Sequence, residues 1–194
     1  MSKLEEFKRH LRAGSVYRRA DLERWSTSVD RHLKALVEEG VLQKLSSGLY
    51  YCPQKSSFGV LPPDDKELVS SFLKDNHFLL TSPNDYNKLG VGTTQLYNIR
   101  VVYNQKRHGE FELGGKQFSF QKKPRFPKQV TVEFLLVDLV NNLDNLAEDR
   151  EEVLKNVLVK ARQVDVKRLK RSVKQYGTVR ARKLFEPVLS HNAE

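Results

Sequence analysis

Leu4, Phe7 and Leu11 share one helical face by their i, i+3, i+7 spacing, and Gly14 marks the end of that helix. Val16 follows as an extended link. Arg19–Trp25 fits a short helix with Leu22 and Trp25 turned inward. Ser26 or Thr27 supplies an N-cap and Asp30 an acid for the first turn of a third helix, Ser28–Glu39, which Gly40 ends. The apolar face of this helix is Val29, Leu33, Leu36 and Val37. Beyond Gly40 the period changes. Val41–Leu45 and Leu49–Cys52 read as strands joined by Ser46-Ser47-Gly48. Three helices and a hairpin, with a short link between the second and third helices, have the layout of a winged helix-turn-helix.

The stretch Pro53–Pro63, with two serines, a glycine and the pair Pro62-Pro63, continues neither helix nor central strand and reads as a boundary. The expected division is therefore a domain over 1–55 and a second over 62–194. In the second, Asp64–Lys74 reads as a helix, Phe78–Leu80 as a short buried strand and Ser82–Asp85 as a turn. Strands are predicted at Gln95–Tyr103, Gly109–Leu113 and Lys116–Lys122, the last two joined by Gly114-Gly115. From Thr131 the helical period returns. Val132, Leu135, Leu136, Leu139, Val140 and Leu143 form one stripe, Val153, Leu154, Val157, Leu158 and Ala161 another, and Val166, Leu169 and Val173 a third. Tyr176-Gly177 breaks the run before a last helix, Val179–Leu189. The fold class expected is α+β: a winged helix-turn-helix, then a mixed domain with a small sheet and C-terminal helices.

Charge sharpens this picture. The 194 residues carry a formal charge of +10, which points to a polyanionic partner. Residues 131–159 hold seven acidic and two basic side chains, whereas 160–183 hold ten basic ones against Asp165. That reversal suits a solvated helix face, an RNA or DNA contact, or a docking surface for an acidic partner protein. Arg168, Arg171, Lys174, Arg180 and Arg182 are its candidate residues. No apolar stretch is long enough for a membrane helix, and the charged N-terminus is unlike a signal peptide, so a soluble, cytoplasmic chain with no membrane partner is expected.

On the third helix, the wheel centres the apolar residues near Leu33 and points Arg31 away from them, flanked by Thr27, Ser28 and Lys34. A guanidinium suits guanine, hydroxyls suit base edges or phosphates, and lysine suits backbone. Lys44, Ser46 and Ser47 on the hairpin extend this candidate DNA-binding set. The same residues also describe an ordinary solvated face. Tyr50 and Tyr51 read as hairpin packing, and His32 as a packed side chain.

Catalytic chemistry is sparse. No phosphate-gripping loop or nucleophile elbow is present, and Cys52 is alone. His10, His32, His77, His108 and His191 are scattered without metal-ligand spacing. No cofactor, metal site or catalytic residue is expected. One pattern, Pro83-Asn84-Asp85 with Gln121-Lys122-Lys123, resembles the metal site of restriction-type nucleases but lacks the second acid. Asp85 also reads as a turn former.

Leu36-Val37-Glu38-Glu39-Gly40-Val41-Leu42 through Ser47-Gly48-Leu49-Tyr50-Tyr51 begins a longer similarity. It continues through Leu80-Thr81-Ser82-Pro83, Tyr86-Asn87-Lys88-Leu89-Gly90, and Pro127 with the segment Thr131–Leu139. In this order the segments resemble the AbiEi-type antitoxins of abortive-infection toxin–antitoxin operons. The resemblance implies a winged helix binding double-stranded promoter DNA and a remainder that counters a nucleotidyltransferase-like toxin, which such an antitoxin need not touch directly. It carries over no catalytic residue.

Overall fold

A computed structural model describes residues 2–190. In chain order the elements are α1 (Lys3–Lys8), β1 (Val16–Arg18), α2 (Arg19–Leu22) running into a 3-10 turn at Glu23–Trp25, and α3 (Val29–Glu38). There follow β2 (Gln43–Ser46), β3 (Leu49–Tyr51), β4 (Gln54–Ser56), β5 (Gly59–Leu61), α4 (Asp65–Leu73) and β6 (Phe78–Thr81). A 3-10 helix spans Pro83–Leu89, before β7 (Ile99–Asn104), β8 (Gly109–Leu113) and β9 (Lys116–Lys122). The chain closes with α5 (Val132–Asn142), α6 (Arg150–Ala161), α7 (Val166–Tyr176) and α8 (Val179–Ser190). This is an α+β protein. No helix among the described residues is long and apolar enough to cross a membrane.

The chain forms two compact units, Met1–His77 with Glu110–Phe118, and Phe78–Gly109 with Ser119–Glu194. The expected boundary at Pro53–Pro63 falls inside the first unit, because that segment is itself a hairpin, β4 against β5. In this N-terminal unit, β1, β3 and β2 form an antiparallel sheet in that order, with Tyr50 opposite both Tyr17 and Lys44. Phe7, Leu22, Val29, Leu33, Leu36 and Leu42 build its core. Val37 is left 37% exposed, a correction to the apolar face expected for α3. The tip of the β8–β9 hairpin joins this unit through Gly114 N–H donating to the Leu45 carbonyl at 3.2 Å. Lys116 pairs with Asp65, and Phe111 packs on Phe72 with ring centroids 5.0 Å apart.

Three predicted boundaries move for local reasons. The N-cap of α3 is Ser28, not Ser26 or Thr27, because the Ser26 hydroxyl is already engaged by the Ser28 amide and His32. The second strand starts at Gln43, because the Val41 and Leu42 amides close α3 by donating to the Leu36 carbonyl. The strand expected from Gln95 starts at Ile99. Asn84 clamps the Tyr97 backbone on both sides, at 2.8 and 3.0 Å, and Glu148 takes the Gln95 amide.

In the C-terminal unit β6 pairs antiparallel with β7, and β9 lies on the far side of β7. Helix α5, capped by Thr131, is buried along Glu133–Val140 and forms the centre on which α6, α7 and α8 pack. A helix apolar on so much of its circumference belongs inside a bundle.

Candidate nucleic-acid interface

The link between α2 and α3 is built by side chains that hold one another. Arg19 grips both oxygens of Asp30 at 2.6 and 2.7 Å and also pairs with Glu23, fixing α2 against the first turn of α3. These contacts hold the Asp30 carboxyl below its usual range. Ser26 Oγ lies 2.9 Å from His32 Nδ1 and accepts from the Ser28 amide at 3.1 Å. His32 is buried among the core residues, as its place beside the apolar face predicts.

What this scaffold presents outward is Thr27 and Arg31, both exposed, and Lys34, whose one ion pair among the described residues is a loose 3.9 Å contact with Glu38. Arg31 makes no ion pair or hydrogen bond among the described residues. The Ser28 hydroxyl caps nothing in α3. Clefts of about 340 and 280 Å³ lie on either side of Ser26-Thr27-Ser28. The larger is lined by Arg19, Glu23, Asp30 and Arg31, the smaller by Lys3, Glu6, Glu23, Arg24 and Trp25. The structure thus brings Thr27, Ser28 and Arg31 together around one opening.

On the hairpin, Lys44 and Ser47 are exposed, but Ser46 is half-buried and its hydroxyl is enclosed without a partner. A bulge between Lys44 and Ser46 turns Leu45 into the core. Tyr50 packs on the core and Tyr51 is buried, donating to the Leu61 carbonyl at 2.8 Å, so both serve packing. The β4–β5 hairpin that follows carries a fully exposed Phe58, an element missing from the sequence expectation because its Ser/Gly/Pro content reads as a linker.

The five basic residues singled out in the C-terminal unit separate into two kinds. Arg168 pairs with Asp165 at 3.8 Å, Arg180 grips Asp144 at 2.8 and 2.9 Å, and Arg182 donates to the Lys174 carbonyl at 3.2 Å. Arg171 and the Lys174 ammonium are exposed and unpaired among the described residues. Lys170, Arg182 and Lys183 line a cleft of about 540 Å³ with Glu186, Leu189 and Ser190.

Asp85 is occupied as a helix cap. Its carboxylate accepts from the Ser82 amide and the Thr81 hydroxyl at 3.0 Å each, and from Lys88 at 2.6 Å. Burial pushes its carboxyl up, but these donors bring it below the ordinary value. Lys123 lies over the Tyr103 ring, 5.3 Å from its centroid. Among the described residues no three His, Cys, Asp or Glu side chains gather as metal ligands. His191 lies outside the described residues. Burial raises the Cys52 thiol above its usual value.

No family model matches the chain, and no curated protein matches it. Among solved structures it is similar to the RV2827C protein from Mycobacterium tuberculosis, with a TM-score of 0.60 and 15% identity. The similarity covers 98% of this chain and 76% of that one. At such identity the likeness is one of fold.

Proposed function

We propose that this chain is a cytoplasmic, DNA-binding antitoxin and autorepressor of the AbiEi type. In this reading α1–α3 and the β2–β3 hairpin act as a winged helix-turn-helix on double-stranded promoter DNA. The rest counters a nucleotidyltransferase-like toxin. The observation that carries it is the start of α3, where Thr27, Ser28 and an unpaired Arg31 stand around an open cleft while the opposite helix face is buried. Arg31 suits a bidentate contact to guanine, and Thr27 and Ser28 suit base edges or phosphates. Lys34, Lys44 and Ser47 supply backbone contacts. Ser46 is half-buried with its hydroxyl enclosed and is left out of this contact set.

The test is a gel-shift titration of the full chain against the DNA upstream of its own gene, with unrelated competitor, over a salt series. Expected is tight binding that survives competitor, with a salt slope that counts phosphate contacts. Binding lost equally to any DNA overturns the reading.

A further inference from the structure

The β4–β5 hairpin forms a two-stranded sheet of its own. Its base is tied down by the Tyr51 hydroxyl on the Leu61 carbonyl. Its tip is equally ordered by local bonds. Ser56 Oγ accepts from the Phe58 amide at 3.2 Å and donates to the Gly59 carbonyl at 3.0 Å, and Gly59 takes a φ of 111° that a side chain would resist. This frame holds out Phe58 with 99% of its surface exposed, followed by Val60 at 58%. A small ribbon with an aromatic held wholly in water needs a reason, since isolated hairpins are marginal and large apolar groups prefer burial.

The character of the ribbon selects the occupant. Its charge between Gln54 and Leu61 is Lys55 alone, with no carboxylate to repel phosphates. Gln54 and Ser57 bring hydrogen-bonding groups. The ribbon's exposed apolar part is Phe58, Val60 and Leu61 alone, a small patch set in polar surroundings. A polar, cationic ribbon tipped by one aromatic matches the apolar wedge that nucleic-acid-binding proteins insert between base steps. Two-stranded ribbons enter the grooves of duplex DNA, major or minor, in other DNA-binding folds.

We propose that the β4–β5 hairpin is a DNA arm and that Phe58 wedges between base steps of the duplex, unstacking and unwinding it. This rests on the DNA-binding reading above. The wedge acts at a step set by how easily the sequence unstacks, so it adds preference for flexible pyrimidine–purine steps without any base-edge contact.

The experiment uses the full chain and a closed circular plasmid carrying the DNA upstream of its gene, relaxed by topoisomerase in the presence of protein and then freed of it. The wild type shifts the topoisomer distribution. Phe58→Ala abolishes the shift while still retarding a linear duplex, roughly tenfold more weakly. Phe58→Trp keeps the shift, and its added indole emission is quenched by that duplex. Equal unwinding by Phe58→Ala and wild type at matched occupancy overturns the proposal. So does a fall in the sedimentation mass of DNA-free protein on Phe58→Ala, which assigns Phe58 to a contact between copies. Retardation by the wild type without unwinding removes the wedge alone. No retardation of the upstream duplex removes the DNA-binding reading with it.

Discussion

Tyr86 and Asp138, 52 residues apart in sequence, meet in the C-terminal unit through a 2.7 Å hydrogen bond from the phenol to the carboxylate. Tyr103 donates to the same carboxylate at 2.8 and 3.0 Å, and Asn142 donates to both phenol oxygens at 3.2 Å. One buried acid thus pins the 3-10 helix and β7 to α5. Burial is the largest influence on Asp138 and pushes its carboxyl above the ordinary value, against the opposing pull of the two phenols. Both phenols are pushed up as well, chiefly by burial.

Asp138→Ala strands two buried hydroxyls and is expected to destabilise the protein by about 3 kcal/mol, read by urea denaturation. The pH dependence has a definite sign. A carboxyl whose folded pKa is raised holds its proton more tightly when folded, so its contribution is most favourable in acid. It weakens as pH rises from the ordinary carboxylate range through the raised value. Asp138→Asn removes this component, and a pH–stability profile parallel to that of the wild type would refute the assignment.

Asp85 behaves oppositely. Its lowered pKa stabilises the fold above the ordinary carboxylate range, and that contribution is lost as pH falls through the folded value. Asp85→Ala removes the capping box at Ser82 and is expected to cost about 1 kcal/mol in thermal unfolding at neutral pH. An unchanged melting temperature contradicts the cap.

At the α3 surface, Arg31→Ala should weaken specific operator binding by about 1–3 kcal/mol with no change in melting temperature. Lys44→Ala should weaken binding to all duplexes alike and lower the salt slope by about one. Quantitative gel shifts on cognate and scrambled duplexes separate the two, and unchanged operator affinity of Arg31→Ala removes that residue from the site.

Gly177 ends α7 where a Cβ would lie 2.5 Å from the Val173 carbonyl oxygen. Backbone cannot retreat as a flexible side chain does, so Gly177→Ala should destabilise by about 1–3 kcal/mol. Calorimetry showing a neutral or stabilising substitution would mean that the turn relaxes without cost.

Much of the secondary structure is legible in the chain because it depends on neighbours close in sequence. The stripe Leu135, Leu136, Leu139, Val140 names α5 by periodicity, Thr131 names its cap, and Gly114-Gly115 names a hairpin turn. Arg31 opposite Leu33 follows from the geometry of any helix. The tertiary structure decided what no local pattern contains. Ser26 is drawn away from capping by His32, and Ser46 is enclosed by a bulge. Arg168, Arg180 and Arg182 are each engaged by a partner, that of Arg180 lying 36 residues away, while Arg171 has none among the described residues. The segment 110–118 leaves its sequence neighbours for a unit over thirty residues upstream, because Gly114, Lys116 and Phe111 find Leu45, Asp65 and Phe72 there. Asp138 reads as one more polar helix position until Tyr86 and Tyr103 arrive. Periodicity reports which face of an element avoids water, but only packing settles which polar groups meet, since those contacts are selected by the cost of burying them unpaired.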